Sequence, residues 1–148
     1  MRSKAYQNNY LEEEVLSANP LKLVELLYRG ALDAVGSARR YLALRDIRAR
    51  SRAINSAMKI LSELARTLNH EAGGDVSRNL ADLYAYIQTR LIEANTQQAD
   101  PPLAEIERLL TTLLEGWSIA AKGATQESRY ERDYSYRESQ YEPVSCAY

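Results

Sequence analysis

From residue 20 to about residue 122, apolar side chains return every three or four positions, the spacing that puts them on one face of an α-helix. Turn signals separate four such runs. The first opens at Asn19-Pro20, an N-cap residue followed by a proline where a missing N–H is harmless. It carries Leu23, Val24, Leu27, Ala31, Val35, Ala38 and Leu42. The second follows Asp46, repeats Ile47, Ile54, Ala57, Leu61, Leu64 and Leu68, and is expected to stop before Gly73-Gly74. Asp75 is the expected cap of the third, with Val76, Leu80, Leu83, Tyr84, Ile87, Leu91 and Ala94 on one face. Asp100-Pro101 repeats the cap-and-proline start for the fourth, which carries Leu103, Ile106, Leu110, Leu113 and Trp117 and is expected to fade near Gly123. No stretch shows the β-branched alternation of a strand. Helices of about 20 residues joined by short loops pack as antiparallel neighbours. The predicted fold is all-α, an antiparallel up-down four-helix bundle with an N-terminal capping segment and a flexible C-terminal tail.

The flanks of the bundle follow from composition. Residues 1–18 are polar with scattered apolar groups, a segment suited to capping a groove. Residues 19–123 make the bundle. Residues 124–148 contain no Leu, Ile or Met but five of the eleven tyrosines. That tail buries too little apolar surface to offset its ordering entropy, so it is expected to be disordered or loosely docked.

The apolar arcs of the helices are wider than a plain bundle needs. On the first, apolar groups cover about two-thirds of the circumference, where a stripe of roughly 100° suffices. Ala49, Ala53 and Ile60 widen the seam of the second, and Ala81, Ala85 and Ile92 form a small-residue flank on the third. These positions either pack inside the bundle or line an apolar groove for a partner helix.

Charge and chemistry then exclude function classes. Lys+Arg 19 against Asp+Glu 20 gives a net charge of -1, without the basic excess expected of a nucleic-acid-binding domain. The one cysteine, Cys146, cannot form an intrachain disulfide, no apolar run spans a bilayer, and the N-terminal residues lack the apolar core of a secretory signal. A cytoplasmic soluble protein is expected. His70 is the only histidine, so neither a di-iron bundle nor a zinc site can be assembled from the usual ligands. No catalytic group, cofactor or metal site is expected, and the chain reads as a binding protein and not an enzyme.

Four segments then carry a family resemblance. Residues 71–95 keep Glu71, Gly73, Gly74, Asn79, Leu80, Leu83, Tyr84, Tyr86, Leu91, Ala94 and Asn95 of the hallmark stretch of the flagellin-specific export chaperone FliS family. Ala72 replaces the usual Lys there, and Asp75-Val76 replaces Glu-Ile. Residues 17–32 resemble the family's opening helix, with Arg29 in place of the common Asp. Ala5-Tyr6 and Glu115-Gly116-Trp117 resemble two further landmarks. Residues from about 130 to 148 have no counterpart in the pattern.

The resemblance implies an ATP-independent helical chaperone of the bacterial cytoplasm that binds the disordered C-terminal segment of flagellin. Binding would prevent premature polymerisation and present flagellin to a membrane-embedded component of the flagellar type III export gate. It implies no nucleic acid, no cofactor and no direct membrane insertion. The N-terminal segment would occupy a groove until displaced; Tyr6 is placed by the motif, and Tyr10, Leu11, Val15 and Leu16 by their apolar character. The expected flagellin-contacting residues are Ala53, Ile60, Ala81, Ala85 and Ile92, with Tyr86 and the edge residue Leu64. Two other classes stay open: a helical adaptor or chaperone for another secreted protein, and a ligand- or metal-binding bundle enzyme.

Overall fold

The computed structural model describes residues 20–140, with side chains through residue 138. The expected capping residues Tyr6, Tyr10, Leu11, Val15 and Leu16 lie outside the described residues. The fold is an all-α four-helix bundle: α1 (Pro20–Ala43), α2 (Ile47–Arg66), α3 (His70–Gln97) and α4 (Asp100–Gln140). The core repeats the predicted stripes except at their starts, where Ile47 and Val76 precede the packed stretch of their helices and are 56% and 67% exposed. Val24, Tyr28, Ala31, Val35 and Ala38 come from α1, and Ile54, Ala57, Leu61 and Leu64 from α2. Tyr84, Ile87, Leu91 and Ala94 come from α3, and Leu103, Ile106 and Leu110 from α4. Each set advances by three or four residues, so one stripe per helix is withdrawn from water. Burying each large aliphatic side chain contributes about 1.5–3 kcal/mol, which makes these stripes the main source of stability.

The turns at one end are tied by polar side chains. Asp46 caps α2, its carboxylate accepting from the Ala49 N–H at 3.1 Å. Arg39 of α1 grips the first turn of α4 through both Asp100 oxygens (2.8 and 2.9 Å) and reaches Glu107 at 3.1 Å. All three side chains are more than a third exposed, so solvent screening holds this link to the modest strength of surface pairs.

The start of α3 departs from expectation. The second helix ends at Arg66, where the Thr67 hydroxyl donates to the Leu64 carbonyl at 2.7 Å, well before the glycine pair. Asn69, not Asp75, is the N-cap of α3, accepting from the Ala72 N–H at 3.2 Å. The helix then kinks at Gly74, with φ 50° and ψ −123°, and resumes beyond it. Asp75 instead pairs with Arg78 one turn on. Both glycines are required here for different reasons. A Cβ on Gly73 would stand 2.8 Å from the Ser77 Cβ, and Gly74 adopts a backbone conformation that a Cβ disfavours.

The fourth helix does not fade near Gly123. It continues to Gln140, and the chain divides into two compact units between Glu115 and Gly116. Low apolar content argues against burial but not against a helix. No proline occurs between Pro102 and Pro143, and Arg137 pairs with Asp133 four residues earlier at 3.6 Å. The side chains along this stretch are nearly all exposed.

Two glycine substitutions should move stability in opposite directions. Gly74→Ala forces a side chain into the positive-φ kink and should cost about 1–3 kcal/mol. Gly36→Ala, inside α1 with open space around its Cα, should add about 0.5–1 kcal/mol. Urea unfolding midpoints of the two variants against the parent chain measure both.

Candidate functional site

The surfaces available to a partner are set by what each flank of α2 already touches. Its central seam, Ile54, Ala57, Leu61 and Leu64, lies in the core. On one side α2 meets α1 closely, because a Cβ on Gly30 would come within 3.3 Å of the Ile60 Cδ1. Further along that junction Ala34, Ser37 and Tyr41 of α1 face Ala49, Arg52, Ala53 and Ser56 of α2. These seven residues line a shallow groove of about 380 Å³. Small side chains keep the groove open while the backbones run close.

On its other side α2 is tied to α3 by polar groups. The Gln88 amide donates to the Met58 carbonyl at 3.3 Å and to the Ser62 hydroxyl at 3.1 Å. Toward the capped end, Arg50 is 3% exposed and donates to the Asn95 side-chain oxygen at 3.1 Å, an atom that Ser51 also reaches at 3.3 Å. Ala81, Ala85 and Ile92 are spaced four, three and four residues along the same flank as Gln88. Ala81 is half-buried, Ala85 is exposed, and Ile92 is 55% exposed, a large aliphatic group left in water.

The seven expected contact residues therefore do not form one groove. Ala53 and Ile60 belong to the α1–α2 junction, whereas Ala81, Ala85 and Ile92 stand beside the opposite flank of α2. Leu64, expected at an edge, is fully buried, since it continues the Ala57–Leu61 seam at helical spacing. Tyr86 projects toward α4, where its hydroxyl donates to the Glu105 carboxylate, and Arg90 holds the same carboxylate at 2.8 Å. That hydrogen bond pushes the Tyr86 phenol above its ordinary range, while the donors Tyr86 and Arg90 hold Glu105 below the usual carboxylate range. Tyr86 is nonetheless 45% exposed and stays accessible on this face.

Hydrophobic patterning does not show three polar links between helices. Arg50, in the apolar seam of α2, joins Asn95 of α3, and Arg39 of α1 joins Asp100 and Glu107 of α4. The third joins two tyrosines of the recognised segments. Tyr28 of α1 and Tyr84 of α3 are buried with their hydroxyls 2.5 Å apart and their rings tilted at 57°. Burial pushes both phenols above the ordinary value of 10.0; the shared hydrogen bond offsets part of this at Tyr28 and adds to it at Tyr84. His70 is exposed at the start of α3, and among the described residues no group of three or more His, Cys, Asp or Glu is placed to hold a metal ion. The geometry offers two shallow small-residue faces, suited to the apolar side of an incoming helix.

Comparison with known proteins places these features in context. A family described as flagellar protein FliS matches residues 2–124. The flagellar secretion chaperone FliS of Salmonella typhimurium is 38% identical over 128 residues, covering 85% of this chain and 95% of its own length. The flagellar secretion chaperone FliSB of Pseudomonas aeruginosa is 36% identical over 114 residues, covering 77% and 90%. The FliS chaperone of Bacillus subtilis is 30% identical over 128 residues, covering 86% and 89%.

The tyrosine pair generates a test in two parts. Tyr28→Phe or Tyr84→Phe alone leaves one buried hydroxyl without its partner and should cost about 1–3 kcal/mol, while the double variant should recover much of the loss. Because the folded pKa values are raised, this contribution is complete below pH 10.0 and is lost as pH rises beyond it. Urea titrations at neutral and strongly alkaline pH should show the double variant less sensitive to alkali than the parent.

Proposed function

Because the chain belongs to the FliS family of flagellar proteins, we propose that it is a flagellar secretion chaperone whose client is flagellin. It would act in the cytoplasm, bind the disordered C-terminal segment of flagellin, prevent premature polymerisation and aid delivery to the export gate. The observation that carries this reading is the exposed flank of α3. Ala81 and Ala85 let a second backbone approach, and Ile92 supplies an aliphatic anchor that stands 55% exposed among the described residues. The α1–α2 groove around Ala53 is a second contact for a long client that wraps around α2.

The physics suits a chaperone without an energy source. An amphipathic chain end that would otherwise coil with other subunits is held by laying its apolar side along such faces. The client orders as it binds, and that ordering consumes part of the interaction energy. The N-terminal residues Tyr6, Tyr10, Leu11, Val15 and Leu16 are proposed to cover one face until the client displaces them. Tyr86, accessible beside Glu105, is proposed as a polar contact at the edge of the site.

Calorimetric titration with a peptide of roughly the last 50 residues of the cognate flagellin should give one-to-one binding with a negative heat-capacity change, the mark of apolar burial. Ile92→Asp should weaken that binding more than about tenfold, or 1.4 kcal/mol, with the helical circular dichroism unchanged. Ile60→Asp should instead destabilise the fold, because Ile60 packs against Gly30. A folded chain that ignores this peptide but binds another secreted protein would replace flagellin as the client.

A further inference from the structure

The end of the bundle formed by the α1–α2 turn carries a feature that client binding does not use. Six arginines and one acidic residue, Asp46, lie between Arg39 and Arg52 in a chain whose net charge is -1. Arg39 is neutralised by Asp100 and Glu107, and the Asp46 carboxylate is engaged in capping α2. The remaining five have no carboxylate partner among the described residues. Arg50 is held by the uncharged Asn95, Arg40 donates to the Ser37 hydroxyl, and Arg45, Arg48 and Arg52 are exposed without an ion pair. Against these five the segment sets only the Asp46 carboxylate, so the turn keeps a net positive charge.

Two large aliphatic side chains project among these arginines. Leu44 is 73% exposed and Ile47 is 56% exposed, one on each side of the short turn. The turn is held firmly: the Leu44, Arg45 and Asp46 N–H groups all donate to α1 carbonyls at 3.0–3.1 Å. With Arg45 in the left-handed conformation at φ 57°, the chain reverses abruptly, and Leu44 and Ile47 are presented at the end of the bundle.

We infer that this tip is a peripheral docking site for an anionic phospholipid surface. Charge complementarity favours an anionic partner, and the shape favours a bilayer over a peptide. A peptide's apolar side chains need a groove to enter, whereas Leu44 and Ile47 protrude. Protruding aliphatic groups enter the boundary between headgroups and acyl chains, while arginines around them keep their guanidinium groups among the phosphates. The contact is at headgroup depth, consistent with the absence of any membrane-spanning helix among the described residues. It requires no client and stands apart from the flagellin reading.

Flotation of the full chain with vesicles tests this directly. The chain should float with vesicles of phosphatidylglycerol and phosphatidylethanolamine, but not with phosphatidylcholine alone. Raising salt from about 0.1 M to about 0.5 M should release it, since screening shortens the reach of the arginines. Arg45→Ser with Arg48→Ser should weaken partitioning about thirtyfold. Leu44→Ser with Ile47→Ser should also reduce it, and all four positions are exposed, so circular dichroism should stay that of the parent. The proposal is overturned if the folded parent chain fails to float with anionic vesicles, or if flotation survives both double variants or high salt. Binding to polyglutamate without binding to anionic vesicles would overturn it in favour of an acidic protein surface.

Discussion

Burial leaves the hydroxyls of Tyr28 and Tyr84 dependent on each other, and their hydrogen bond links α1 to α3 across the core. A phenol without a partner in an apolar interior loses its bonds to water and gains nothing in return. At 2.5 Å one hydroxyl donates to the other, a directional contact that the aliphatic stripes around it do not provide. The stripes of Leu, Ile, Val and Ala supply most of the stabilising energy, yet aliphatic packing tolerates sliding more readily than a single buried hydrogen bond does. This is the physical sense in which two tyrosines far apart in sequence belong to one pattern.

The second helix, α2, has a neighbour on each flank. Toward α1 the separation is set by Gly30 and a run of alanines, so the helices approach closely and leave a narrow groove around Ala53. Toward α3 the junction is tied by hydrogen bonds that Gln88 donates to α2 and that Asn95 accepts from it, with Ala81, Ala85 and Ile92 left outside them. The two faces thus differ in kind. One is a crevice between backbones; the other is a flank with an aliphatic anchor and polar groups behind it. A client that used both would have to pass around α2, which a disordered chain can do and a folded one cannot.

Helical periodicity made the fold legible because core positions repeat every three or four residues whatever the helix packs against. The same logic failed where a residue's role depends on a particular neighbour. A wheel shows that Ala53, Ile60, Ala81 and Ile92 widen the apolar arcs, but it does not show that the first two look toward α1 and the last two lie across α2. Leu64 was misplaced for the opposite reason: its spacing from Ala57 and Leu61 already put it in the core, and treating it as an edge set that spacing aside. Asp75 resembled a cap by residue type, yet Asn69 had the free N–H groups of a helix start ahead of it. The extension of α4 past Gly123 is not legible in composition, because low apolar content bears on burial and not on helix formation, and the two are governed by different terms.

The distribution of function over the molecule follows from the same geometry. The proposed client faces run along the length of α2 and α3, whereas the unpaired arginines gather around the α1–α2 turn. Under the proposed function, a chaperone bringing an unfolded chain to a membrane-embedded gate would keep its long faces occupied on arrival, so a membrane contact would come from elsewhere. An end-on contact meets that requirement. Such a contact would use the six arginines that a chain of nearly balanced charge places between residues 39 and 52. Weak, salt-sensitive attraction suits the task better than firm insertion, because it confines diffusion to the membrane surface and still allows the empty chaperone to leave.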